Sequence, residues 1–451
     1  GYSPTGFGTA NKGLAGAGVA FPQDALAGAT NPAGMVQLGD RLDVGASLFA
    51  PDRGFTAYPN GGPPFPTIPA GSYDSDNDLF LIPHFGWNRK LDDNSSIGVL
   101  LGANGGLNTD YDSAVWQNFA PPTAPPQFVA SKPTGVDLAQ LFVGVPYAFK
   151  INDRHALGIM PIVAVQRFKA KGLEPFRALS TNPDKVTNNG YDYSWGYGIR
   201  VGWLGQLTDR LAAGVSAQSR LYMTEFDDYE GLFAEQGDFD VPATVTAGLR
   251  FDVLPDVTLV ADWQRIFFGG VKALHNPNDT PVSPSNLLGS NDGLGFGWND
   301  IDIFKVGVQW QYNPRLTLRA GVSHADQLFE SGESLFNVLA PATIRTHASL
   351  GMSYRLEGGS TISAAYTRSF HEEISGQNPN FTGAQTGSVE MDQHELEAAL
   401  HRVAFALEKC LDAAVAKRDL AVQCRAQPEE GAAFHLGHDR IGVDEQAAVG
   451  H

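Results

Sequence analysis

The sequence predicts an all-β fold: a 14-stranded antiparallel transmembrane β-barrel with a small N-terminal hatch, or plug, inside the lumen. Three observations carry this. Six short polar turns alternate with seven long loops, the segments between them alternate apolar and polar residues, and aromatic side chains gather near the short-turn ends. An even strand count, with short connections on one side and long ones on the other, is the pattern of a bacterial outer-membrane barrel.

The turns fall at 91–95, 151–154, 207–210, 254–256, 312–315 and 356–360. Each carries Asp, Asn, Pro or Gly, which supply the backbone angles of a tight reversal. The loops lie near 52–78, 107–137, 171–190, 226–240, 270–298, 327–342 and 373–387. Between them the alternation has period two. Val306, Val308, Trp310 and Tyr312 share one face, opposite Lys305, Gly307, Gln309 and Gln311; Leu316, Leu318, Ala320 and Val322 likewise oppose Arg315, Thr317, Arg319 and Ser323. A soluble sandwich would alternate too. Trp203, Trp310, Tyr312 and Tyr354 decide between them, because they stand where an interfacial aromatic girdle belongs.

Composition sets the remaining bounds. The chain has 451 residues, 43% of them hydrophobic, and no run approaches the ~20 apolar residues of a membrane helix. A membrane location therefore demands a closed barrel, since lipid tolerates no open sheet edge. The net charge of −18 argues against a nucleic-acid partner. Acidic loops at 74–78 and 225–230 are open to two readings, solvated loop tips or contact with outer-membrane lipid and lipopolysaccharide through shared divalent cations. The chain starts at Gly1 without a signal peptide, as a mature form would.

Residues 1–39 break the strand pattern, being rich in Gly, Ala and small polar residues suited to a confined space. Asn31, Pro32 and Ala33 place a helix N-cap before a proline at the first helical position, so a short helix is expected over 32–38. The first strand begins near Arg41. The barrel is expected over 40–397, leaving 398–451 as an anomalous tail with both cysteines, Cys410 and Cys424. Residues 398–422 read as a helix, with Leu400, Val403, Leu407, Leu411 and Val415 at helical spacing, and the rest reads as disordered. Two accounts of this tail stay open, a genuine periplasmic extension and a shifted reading frame that replaces an aromatic-ended final strand.

Gly13, Gly16 and Gly18, the run Asp24-Ala-Leu-Ala-Gly-Ala-Thr-Asn-Pro-Ala33 and the later Phe336-Asn-Val-Leu-Ala-Pro-Ala-Thr-Ile344 carry a resemblance. Over residues 1 to about 397 the chain resembles the FadL-type outer-membrane transporters of long-chain fatty acids and other hydrophobic compounds. The resemblance implies a monomer, capture of a hydrophobic ligand on the extracellular loops, passage to a pocket near the hatch, and lateral release into the membrane at a kinked third strand. That strand would be 96–106, with Gly102, Gly105 and Gly106 at the bend; interior glycines mark bulges, although the same glycines would equally begin a loop. It also implies that the first residues, to Phe7, lie close to the ligand. A general diffusion porin with a polar lumen is the alternative, disfavoured by the obstructing first 39 residues.

Apolar loop residues either mark candidate binding surface or pack against one another to stabilise the long loops: Trp116 and Phe119 in the second loop, Phe267 and Phe268 in the fifth, Leu328, Phe329 and Phe336 in the sixth. A carboxylate ligand would favour a lumenal Arg or Lys, for which Arg200, Lys305, Arg319 and Arg345 are candidates. No cofactor or metal is expected. The acidic run 74–78 lacks the glycine and distal Glu of a calcium loop. Nucleophile-elbow, phosphate-loop, dinucleotide and zinc-protease motifs are absent from the sequence, so no enzyme is expected. Neighbours Ser323 and His324 point to opposite faces of a strand and cannot act as a pair.

Overall fold

A computed structural model describes residues 2–60, 66–334, 336–378 and 385–403. Its strand segments all join one antiparallel sheet that closes on itself. Three strands are each split in two, so the segments make a barrel of 14 strands. In chain order these are β1 (Arg41–Ala57), β2 (Gly71–Asp74 and Phe80–Lys90), β3 (Ser95–Tyr111), β4 (Thr134–Gly144 and Tyr147–Asn152) and β5 (His155–Lys171). There follow β6 (Asp192–Gln206), β7 (Leu211–Gln218 and Tyr222–Met223), β8 (Ala243–Leu254), β9 (Val257–Phe267) and β10 (Ile301–Gln311). The last four are β11 (Leu316–Ala325), β12 (Thr346–Arg355), β13 (Thr361–Gly376) and β14 (Gly387–Val403). The six short turns fall where turn chemistry puts them, whereas several loops are shorter than expected: β1 runs to Ala57, β3 to Tyr111 and β13 to Gly376, because neighbouring strands give these ends partners.

The alternation sorts side chains between lipid and lumen. Phe304 and Val306 of β10 and Leu350 of β12 are exposed on the outer face, whereas Lys305, Arg319 and Ser349 beside them are buried inside. Trp310, Tyr312 and Tyr354 stand exposed near the short turns, as a girdle requires. Closure comes from β14, which pairs with β1 from Arg41↔Val403 to Ala57↔Gly387 and with β13 on its other edge.

That closing strand corrects one expectation. Helical character was expected from Ala398, yet residues 398–403 continue β14. Leu396, Ala398 and Leu400 point outward while Glu397, Ala399 and His401 point inward, so period two persists. The apolar spacing of Leu400 and Val403 fits a helix equally well; two flanking edges awaiting partners decide it for strand. The remainder of the expected helix and tail, with Cys410 and Cys424, lies outside the described residues.

Residues 2–39 contribute no barrel strand and are largely buried. A single turn, α1 (Thr9–Lys12), is followed by two 3-10 turns over Ala25–Ala29 and Pro32–Gln37. Asp24 and Asn31 cap them, their side-chain oxygens accepting from the N–H groups of Leu26 and Ala33, each at 3.1 Å. The expected helix after Pro32 is present, in the tighter 3-10 form.

The segment is tied to inward-facing barrel side chains. Asp262 of β9 accepts from the N–H groups of Gly18 (2.7 Å) and Val19 (2.9 Å). The Asn31 amide donates to the carbonyls of Val19 (2.8 Å) and of Trp203 on β6 (2.9 Å). Buried backbone groups need such partners. Close approach also needs an absent side chain: a Cβ on Gly321 of β11 would lie 2.5 Å from the Leu14 carbonyl oxygen.

Candidate functional site

A cavity of about 710 Å³ lies against the barrel wall formed by β14 and by β1 to β6. Its inner side is made by residues 3–8 and Lys12 of the N-terminal segment, with Phe7 and Leu26 supplying apolar surface. Phe49 of β1 and Phe80 of β2 project into it 6.2 Å apart, centroid to centroid. Leu138 and Gln140 of β4 and Met391 and Gln393 of β14 complete the mixed lining.

The wall beside this cavity is not fully paired. β2 and β3 are hydrogen-bonded only from Phe85↔Leu101 to Lys90↔Ser96. Phe80 to His84 keep their pairing with β1 but have none with β3. Pro83, without a backbone N–H, sits on this stretch. On the other margin β3 carries a bulge: its register with β4 shifts between Ala103 and Gly105, and Asn104 turns to donate to the Gln140 side chain at 2.8 Å. Gly105 there has φ +143, a conformation that side chains disfavour. Beyond the bulge β3 runs on to Tyr111, so Gly102, Gly105 and Gly106 lie within the strand and do not begin a loop. All three line the cavity.

The gap is bounded at both ends. Below it the β2–β3 pairing resumes; above it, the Asp76 N–H donates to the Asp110 carbonyl at 2.9 Å, and Arg53 of β1 donates to the carbonyls of Asn77 and Asn108. Outward-facing Leu81, Leu141 and Val165 line the same cavity as inward-facing His84, Glu395 and Glu397. The lumen-side space thus extends through the wall.

At the inner end stands a buried charge cluster. Lys12 pairs with both Glu395 and Glu397 of β14, at 2.5 Å from Glu397, and donates to Ser47 at 3.0 Å. Glu397 also accepts from Thr9 (2.8 Å) and Ser47 (2.6 Å). Lower down, His401 contacts Asp43 (2.5 Å) through one ring nitrogen and Ser363 (2.8 Å) through the other. Although this series joins Ser, His and Asp, all three are buried away from the cavity lining, and Ser363 is shared with Ser353, which receives Arg319. It ties strands together beneath the N-terminal segment.

Of the residues marked from sequence, Phe7 and the three glycines reach the cavity. The loop residues do not. Trp116 packs edge-on against Phe119 and Phe176, each at 5.0 Å, and Phe268 and Phe329 are buried in the same loop core. Leu328 is buried with them, and Phe267 is half-buried beside Arg265. The side chain of Phe336 lies outside the described residues. The marked cations hold the N-terminal segment: Lys305 donates to the Thr5 carbonyl (3.3 Å), Arg319 to Gln23 (2.8 Å), and Arg200 to Gln218 (2.6 Å) and the Thr30 carbonyl (3.4 Å). Arg345 donates to the Ala325 carbonyl at 3.1 Å. Lys12, Arg53, Glu395 and Glu397 were missed. Period two over residues 391–401 does carry a signal for the two glutamates, which share one face with Gln393 and His401.

A closed barrel of 14 strands, lipid-facing outside and filled by its own N-terminal segment, defines a bacterial outer-membrane transport protein. The chain belongs to the outer membrane protein transport protein family (OMPP1/FadL/TodX), whose model matches residues 2–406. Comparison with curated proteins gives no significant sequence match. Among solved structures, the toluene transporter TodX of Pseudomonas putida is similar in fold, with TM-score 0.67 and 17% identity over 88% of this chain and 99% of that one. A Pseudomonas aeruginosa FadL homologue gives TM-score 0.66 and 17% identity over 89% and 99%. The toluene transporter TbuX of Ralstonia pickettii gives 0.56 and 16% over 87% and 98%.

Proposed function

We propose that the chain mediates passive uptake of hydrophobic small molecules, such as long-chain fatty acids or hydrocarbons, without covalent chemistry. The ligand would occupy the 710 Å³ cavity and leave sideways through the wall between β2 and β3, entering the membrane by partition. One observation carries this reading: a single cavity is lined both by lumen-facing Phe7 and Glu395 and by lipid-facing Leu81 and Val165, beside a stretch where the two strands are unpaired. Residues 2–39 act in this reading as a hatch, so that ions do not share the route. The same obstruction speaks against a general diffusion porin. Two of the similar structures are toluene transporters and one a FadL homologue, which supports a hydrophobic ligand and leaves its head group open. The apolar loop residues pack as a closed core, so extracellular capture would use its exposed rim and require the core to part.

Gly102→Trp tests the exit. A Cβ at Gly102 meets nothing within 4 Å, so the variant should fold while its indole fills the gap. Uptake of a labelled hydrophobic compound by cells expressing it should fall at least fivefold, with outer-membrane abundance unchanged. Undiminished uptake by a correctly folded variant would remove the lateral route.

A further inference from the structure

The cavity is electrically lopsided. At its inner end Lys12 meets two carboxylates, Glu395 and Glu397, so that end carries excess negative charge. At its outer end stands Arg53, which is 7% exposed and forms no ion pair with any described residue. Asp52 and Asp78 act on it only at longer range. Of the five N–H donors of a guanidinium, one on each terminal nitrogen goes to a backbone carbonyl, of Asn77 and Asn108, and Nε has no partner. A buried charge without a counter-ion is costly. The other lumenal cations marked from the sequence, Arg200, Lys305 and Arg319, are absent from this lining, and the further arginine that does line it, Arg167 of β5, has a carboxylate partner, Asp137 at 3.6 Å.

Register fixes the spacing of the two ends. On β1, Arg53 lies opposite Met391 of β14 and Phe49 opposite Glu395. Four residues of strand separate these levels, about 13 Å. The apolar path between them is flanked by Phe49 and Phe80, with the Arg53 guanidinium 5.6 Å from the Phe80 ring centre.

We propose that Arg53 is a specificity residue that receives the carboxylate of an anionic amphiphile, the acyl chain running down past Phe49 and Phe80. This rests on the reading of the cavity as the ligand site. The head group sits at Arg53 because planar guanidinium–carboxylate pairing satisfies the stranded charge, while Glu395 and Glu397 repel it from the inner end. The site lies at the upper margin of the wall gap, between the two carbonyls that Arg53 braces. A bound carboxylate competes with those carbonyls for the guanidinium, so recognition of the ligand loosens the brace above the gap.

The test compares dodecanoate with dodecan-1-ol, equal in chain length and different in charge. Binding is titrated at pH 8 to the full chain in nanodiscs, with protein-free nanodiscs as blank. Wild type should bind dodecanoate at least tenfold more tightly than the alcohol. Arg53→Gln should abolish that preference with alcohol affinity within about twofold of wild type, and Arg53→Lys should keep part of it. Equal wild-type affinities would overturn the inference and leave the cavity reading intact. Equal loss of both ligands in Arg53→Gln would also overturn it, since a residue that only braces the rim does not change the ratio. Binding of neither ligand by wild type would defeat the cavity reading and this inference together.

Discussion

Lys12 of the N-terminal segment and Glu397 of the closing strand form a buried ion pair, Nζ to Oε2 at 2.5 Å, joining residues 385 positions apart in sequence. Glu395 shares the same ammonium, so this one cation neutralises part of a carboxylate pair that β14 would otherwise hold uncompensated inside the lumen. Removing one partner of a buried pair costs about 3–5 kcal/mol. Lys12→Met should therefore unseat the first turn of the segment. In planar bilayers the variant should show frequent conductance steps where wild type is nearly silent, and Lys12→Arg should restore most of the seal.

The seal should depend equally on a missing methyl group. Gly321→Ala would place a Cβ 2.3 Å from the Leu14 carbonyl carbon, against backbone that cannot rotate away. Thermal unfolding of the purified barrel, followed by the loss of its compact form on gels, should shift down by several degrees. Gly358→Ala in the last short turn, where a Cβ meets nothing within 4 Å, serves as the matched control and should shift little.

Turns and strands were legible because their chemistry is local. Asp, Asn, Pro and Gly mark reversals wherever they fall, and period two needs only neighbours in sequence. Even so, the first loop was expected from residue 52, whereas β14 and Gly71–Asp74 of β2 give the far end of β1 partners as far as Ala57. Arg53 was hidden in that misplaced loop boundary. Lumenal cations were legible as inward-facing, but which of them the N-terminal segment would cover depends on how residues 2–39 fold back. Lys305 and Arg319 went to the carbonyl of Thr5 and the side chain of Gln23, and Arg53 did not. Apolar loops were ambiguous for a related reason: Trp116 and Phe329 look like a binding surface until the loops are seen packed on one another.

A pH dependence is expected in the loops. Burial, helped by Asp279, pushes the Glu333 carboxyl up to about 8 from 4.5 in the sixth loop, against the Asn278 N–H that donates to it at 2.8 Å. A carboxyl whose folded pKa is raised stabilises the fold fully below its unfolded value and loses that contribution as pH climbs to the folded one. The contact between the fifth and sixth loops should therefore weaken between pH 4.5 and 8. Amide exchange at residues 276–297 should accelerate over that range beyond its intrinsic rise. Glu333→Gln should flatten the excess; an unchanged excess in that variant would assign the effect elsewhere.

The boundary of the closing strand yields the last prediction. Residues 398–403 make six register pairs with β1, from Ala46↔Ala398 to Arg41↔Val403, and four with β13, from Ala364↔Ala398 to Thr361↔His401. At roughly 0.2–1 kcal/mol per cross-strand pair, their loss amounts to several kcal/mol. His401 goes with them, leaving Asp43 without one of its partners and Ser363 without its imidazole contact. A chain ending at residue 397 should fail to reach the outer membrane as a heat-resistant compact barrel, whereas one ending at 403 should assemble at near full-length levels. If the shorter chain assembled as well as the longer, the seam between β1 and β14 would be closed by its upper pairs alone, and the ion pair of Lys12 with Glu397 would be the lowest tie that matters.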